Sequence, residues 1–275
     1  MCYNIKYIIT RQVKNLRAGV STACLYPELL EDSLYKLAVN GVSCTEIFVN
    51  SYSELRRGYA ENLKEMMNRF DMDCVSVHPF TCEIEPIMLF SDYERRTADF
   101  LEYCKKYFQF MNIVGAKIFV LHGGKSDRGK EFYCERYSRL FRLGKGFGIT
   151  VAVENVSRCQ SSSSAFIHDI SRMLNDEFAF VLDTKQALRA GETPFAFLEA
   201  AGKKTVHVHI SDSGETGDCL AIGKGNFRFR QFLEKLNNYN HDASVVLELY
   251  RNSFSNISEL IHSYSILNKM VGSYQ

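Results

Sequence analysis

The chain has no tryptophan, no pair of cysteines at C-x-x-C spacing and no excess of charge of either sign. Each absence removes a class of protein. The nine cysteines among 275 residues are scattered, so neither a zinc ribbon nor a disulfide framework is expected, and Cys74, Cys104 and Cys134 read as small core residues. With 33 basic against 32 acidic residues, a net charge of +1, a general electrostatic grip on nucleic acid or anionic membrane is not expected. No apolar run approaches the roughly 18–20 residues of a membrane span. The first residues, MCYNIKYIITRQVKNLR, have no signal-peptide core or small-residue cleavage site, and a cytoplasmic location is expected.

What is present is a core and a rhythm. Hydrophobic residues make up 46 % of the chain, enough for a large domain. Short apolar runs alternate with longer helical patterns. Strands are expected at 17–25, 44–49, 74–80, 117–124, 149–156, 178–183, 204–213 and 244–250, each followed by a helical stretch. Residues 1–16 read as an extension, and 17–275 as one domain. Eight strand–helix units in about 250 residues predict a single (β/α)8 TIM barrel, an α/β fold with a parallel sheet inside a ring of helices. The structural alternative, a doubly wound open sheet, would usually carry a glycine-rich phosphate turn after its first strand, where this chain reads CLYPELL.

Three late strands end alike: VAVE at Glu154, FVLD at Asp183 and VVLE at Glu248. A carboxylate at the tip of a buried strand is costly without compensation, from a lysine, a helix N-terminus or a metal ion. The strand between the last two carries His207 and His209, which a period of two puts on one side. The C-terminal ends of barrel strands meet at one face, so Glu154, Asp183, His209 and Glu248 are expected to converge. Three carboxylates and an imidazole at close range call for a counter-charge. One divalent cation answers the need; the mixed oxygen and nitrogen donors suit manganese, zinc, iron or cobalt better than magnesium. His78 and His122, ending two earlier strands, are expected to line the same mouth as substrate contacts. The loop AIGKGNF (221–227) offers a nest of N–H groups at Gly223 and Gly225 with Lys224 beside it, a candidate anion contact or cover.

In this order, SVHPF, VLHGG, VAVEN, VLDTKQA, VHVHISD, IGKGNF and VLEL resemble the xylose isomerase-like barrel superfamily, from about Arg17 to the end. That group includes sugar isomerases and epimerases and the endonuclease IV-type nucleases. The ketose 3-epimerase branch implies one metal held by Glu154, Asp183, His209 and Glu248, with Glu154 and Glu248 also moving the proton from opposite sides of the substrate. The implied activity is a metal-dependent sugar or sugar-phosphate isomerase or epimerase, working by proton transfer next to a carbonyl. The nuclease branch implies three metals and a histidine where Gln186 stands. It also implies an aspartate and a histidine just before IGKG, where this chain has Gly217-Asp218-Cys219. Lys185 and Gln186 thus depart from the nuclease pattern. Gln186 departs from the epimerase pattern too, where a histidine often touches substrate; its amide can still contact a hydroxyl. Gln160 stands where the resemblance implies a glutamate behind the ligands. The alternatives are a related dehydratase or lyase, an endonuclease IV-like phosphodiesterase, and a non-catalytic sugar-binding barrel. The partner expected is a small sugar or sugar phosphate, and a homo-oligomer is compatible with the sequence.

Overall fold

The structure, a computed structural model, describes residues 16–274. The expected N-terminal extension therefore lies outside the described residues, Leu16 excepted. Seven strands come first: β1 (Arg17–Ser21), β2 (Cys44–Phe48), β3 (Asp73–His78), β4 (Ile118–Leu121), β5 (Thr150–Glu154), β6 (Phe180–Asp183) and β7 (Thr205–Ile210). A hairpin of β8 (Asp212–Gly214) and β9 (Gly217–Leu220) follows, and β10 (Ser244–Leu247) completes the set. The parallel strands close in the order β1-β10-β7-β6-β5-β4-β3-β2. This is the expected (β/α)8 barrel, in a single domain.

The helices form where apolar residues recur at helical spacing. Ser164–Leu174 buries Ile167, Ile170 and Leu174, and Ser163 caps it by accepting from the Phe166 N–H. Phe229–Tyr239 buries Phe229, Phe232, Leu233 and Leu236 on one stripe. The apolar core lies between this ring and the sheet. Phe119 of β4 packs edge-on to Tyr107 and Phe108, with ring centroids 5.5 Å away in each case. Phe180 stacks on Phe197 at 6.2 Å. Cys74, Cys104 and Cys134 are buried free thiols, as expected.

The barrel interior is different. Ser21, Glu46, Ser76, His207 and Ser244 are all buried, and they bond to one another instead of forming layers of branched aliphatics. This polar plug supports the mouth from below.

Most strands are shorter than the sequence reading set them, and three places show why. The first strand stops at Ser21, and Thr22–Leu25 turns as a short 3-10 segment. β7 stops at Ile210 instead of 213, because the next N–H groups leave the sheet: Ser211 donates to Thr184 Oγ1 at 3.1 Å and Ser213 to the Asp212 carboxylate at 2.8 Å. A helical turn, Thr184–Arg189, begins directly after Asp183.

Candidate metal centre

Glu154 and Asp183 are the last residues of β5 and β6, and Glu248 follows the last residue of β10. His209 lies in β7 and pairs in register with Asp183 on one side and Val246 on the other. Donor atoms of Glu154, Asp183, His209 and Glu248 all lie within 4.8 Å of one another. His209 Nδ1 is 3.0 Å from Glu154 Oε1, 3.6 Å from Glu248 Oε2 and 3.9 Å from Asp183 Oδ2. The structure thus brings together all four residues read as ligands.

The other nitrogen of His209 is held from below. Its Nε2 lies 3.1 Å from Glu46 Oε2, the oxygen that also receives the Ser76 hydroxyl at 2.8 Å and lies 3.1 Å from His207 Nε2. Glu46 Oε1 accepts from Ser21 at 3.1 Å. A histidine fixed through one nitrogen by a carboxylate presents the other at a set angle, the usual support of a metal-bound imidazole. Sequence reading missed Glu46. The strand ending CTEIF carries the only acidic residue of β2, but nothing local shows that it points inward.

Lys185 was read only as a departure from the nuclease pattern. Its ammonium reaches both Asp183 Oδ2 and Glu248 Oε2, and the side chain is 5 % exposed. Asp183 also receives the Gln186 N–H at Oδ1, 3.0 Å, and so caps its own helix. The lysine and the helix N-terminus therefore both compensate this carboxylate.

Charge is concentrated in a dry place. Burial pushes Asp183 up to about 7, against the pull of Lys185 and with help from Glu154 and Glu248. Burial acts the same way on Glu248, but Lys185 and His209 outweigh it and bring that carboxyl down to about 2. Burial opposes protonation of His209, yet Glu46, Glu248 and Glu154 hold it well above the usual imidazole range. Burial likewise opposes ionisation of Glu154, but hydrogen bonds and charge from His122 and His209 hold it well below. Two ionised glutamates thus face two cationic side chains, with Asp183 poised between its charged and neutral forms.

His78 and His122 reach the same mouth. Their Nε2 atoms are 3.0 Å apart, and His122 Nε2 is 3.0 Å from Glu154 Oε2. With Glu154 they form a second group of converging donors. Gln186 is turned to the neighbouring loop, its Oε1 accepting the Ser157 N–H at 3.0 Å. The anion cradle expected at 221–227 is filled from within. The N–H groups of Gly223 and Gly225 both donate to Asp212 Oδ2 at 2.9 Å, and Phe227 donates to Oδ1 at 3.0 Å. Lys224 sits 3.5 Å from Glu259 and is not part of the cluster.

The model of the xylose isomerase-like TIM barrel matches residues 34–269. The chain belongs to that family. A curated relative, an uncharacterized protein of Methanocaldococcus jannaschii, is 23 % identical over 94 % of this chain and 91 % of its own. Among solved structures, a D-tagatose 3-epimerase-like protein superposes with a TM-score of 0.77 at 22 % identity, covering 94 % of this chain and 98 % of the other. A D-psicose 3-epimerase gives 0.76 at 12 % identity, over 94 % and 100 %. The probable 3-DHS dehydratase of petrobactin synthesis from Bacillus anthracis gives 0.74 at 12 %, over 92 % and 98 %. At these identities the superpositions show the shared xylose isomerase-like barrel alone.

Within this family the nuclease branch would need a third group of ligands around 186 and 217–219. Here Gln186 is engaged with Ser157, Asp218 is paired with Arg189 through two oxygens at 2.5 and 2.9 Å, and Cys219 is buried. Neither Asp218 nor Cys219 joins a group of converging histidine, cysteine or carboxylate donors among the described residues. The donor set at Glu154, Asp183, His209 and Glu248 fits one divalent cation. It is buried, mixed in oxygen and nitrogen, and braced by Glu46.

Proposed function

We propose that the chain is a sugar or sugar-phosphate isomerase or epimerase that moves a proton at the carbon next to a carbonyl. One observation carries this reading: two glutamates from non-adjacent strands flank the His209–Asp183 pair. In the closed order, β10 and β5 lie on either side of β7 and β6, so Glu248 and Glu154 face the centre from opposite sides.

Glu154, Asp183, His209 and Glu248 would hold one divalent cation, which when bound polarises substrate oxygens and makes the neighbouring C–H bond more acidic. The chain's own groups do the rest. Both glutamates are held as carboxylates, the form that accepts a proton. Glu154 is 3 % exposed, with Oε1 on His209 and Oε2 on His122, so its direction is fixed. Glu248 is 15 % exposed and more open to an entering molecule. His78 and His122 line the wall beside Glu154 and offer ring nitrogens to substrate hydroxyls. Burial of the cluster excludes water from the proton path.

The test is incubation with a panel of ketoses and ketose phosphates in D2O with Mn2+, read by mass spectrometry and NMR. One substrate should be converted to its epimer or isomer and take up a single solvent deuterium. Glu154→Gln and Glu248→Gln should each lose at least 100-fold in exchange, the loss expected when a positioned acid–base group is removed. A product lighter by one water would replace the reading with a lyase. Stabilisation by a sugar with no product would replace it with a binding protein.

A further inference from the structure

Lys185 shares its two partners with the proposed metal. Its ammonium contacts Asp183 Oδ2 and Glu248 Oε2, the same oxygens that face His209 Nδ1 at 3.9 and 3.6 Å. An ammonium and a divalent ion cannot occupy that gap together. The two carboxylates are buried, and Lys185 is the cation in direct contact with both.

We infer that Lys185 is an internal counter-cation that competes with the divalent ion for Asp183 and Glu248. It neutralises the centre when the ion is absent and must be displaced when the ion enters. The inference rests on the metal reading of the same four residues. The lysine's way out is towards Tyr250, whose ring lies 5.9 Å from the ammonium and is 45 % exposed. Arg189 already lies over that ring at 5.2 Å and is paired with Asp218, so a displaced ammonium moves past the ring towards solvent instead of onto its face. The outcome is a centre whose affinity for metal is set by a residue that is not a ligand.

The decisive experiment compares wild type with Lys185→Met and Lys185→Gln, purified without chelating resin and stripped with EDTA. Mn2+ affinity is measured by competition with a fluorescent chelator, and melting temperature with and without Mn2+. Both variants should bind Mn2+ at least tenfold more tightly than wild type. Their melting temperatures should fall in EDTA, since Asp183 and Glu248 lose the ammonium they share, and Mn2+ should restore them. A variant that folds only when Mn2+ is supplied supports the same conclusion. Equal or weaker Mn2+ affinity in the variants overturns it. If no protein binds Mn2+ or Zn2+, the competition and the metal reading fall together. Equal affinities accompanied by deuterium exchange overturn the competition alone.

Discussion

Glu85 permits a prediction worked from the structure outward. It is fully buried near the start of a short helix, and its Oε2 accepts the His122 N–H at 2.8 Å and the Gly123 N–H at 3.2 Å. Its other oxygen has no hydrogen-bond partner among the described residues. Burial raises this carboxyl to about 7, although His122 and the two N–H groups act in the opposite sense. From an ordinary glutamate value of 4.5 that is a gap of about 2.5 pH units, or ~3 kcal/mol at about 1.36 kcal/mol each. The sign follows from a folded value above the unfolded one. The protonated form's contribution is complete below about pH 4.5, shrinks as pH rises, and is lost above about pH 7. Glu85→Gln keeps an oxygen for the two N–H groups and removes the ionisation. Urea unfolding at pH 5 and pH 8 should show the variant gaining up to about 3 kcal/mol on wild type between the two values. A difference that does not change with pH would refute the reasoning and mean that Glu85 ionises freely in the fold.

Two further substitutions test the supports of the site. Glu46→Gln removes the charge behind His209 and should weaken Mn2+ binding by 10–100-fold in a chelator competition, with the barrel still folded by circular dichroism; unchanged affinity would mean that His209 is oriented by packing alone. Gly225→Ala places a Cβ 2.3 Å from the Ser213 carbonyl oxygen and 2.6 Å from Asp212 Oδ1, so the loop must open. A loss of about 1–3 kcal/mol is expected by thermal unfolding, and a neutral result would show that the Asp212 cradle yields without cost.

The late strands show what periodicity can reveal. An apolar run ending in a carboxylate is a local pattern, so Glu154, Asp183 and Glu248 could be placed at strand ends from the sequence. Barrel closure then required that these ends meet. His209 was legible for the same reason, as one of two histidines at strand spacing. The eight units were found, but their ends were set too long. Just past β1 the mostly apolar run Thr22–Leu25 turns as a 3-10 segment, and just past β7 the Ser211 N–H leaves the sheet for the Thr184 side chain, which only the fold shows.

The rest depended on contacts between distant positions. Glu46 lies 161 residues from His207 in the chain and 3.1 Å from it in space, and no pattern in CTEIF announces this. The glycines at 223 and 225 were correctly read as N–H donors in a loop, but only the fold shows that Asp212 fills the cradle. Lys185 is the sharpest case. Adjacency to Asp183 could suggest an ion pair; its bridge to Glu248, 63 residues on, exists only because β6 and β10 bring their ends to one mouth. Sequence alone determined the barrel and the convergence of Glu154, Asp183, His209 and Glu248, because strand period and strand ends are local properties. Tertiary structure decided which charges lie against those four side chains, Glu46 below His209 and Lys185 between Asp183 and Glu248, because in a buried centre that depends on distances between strands.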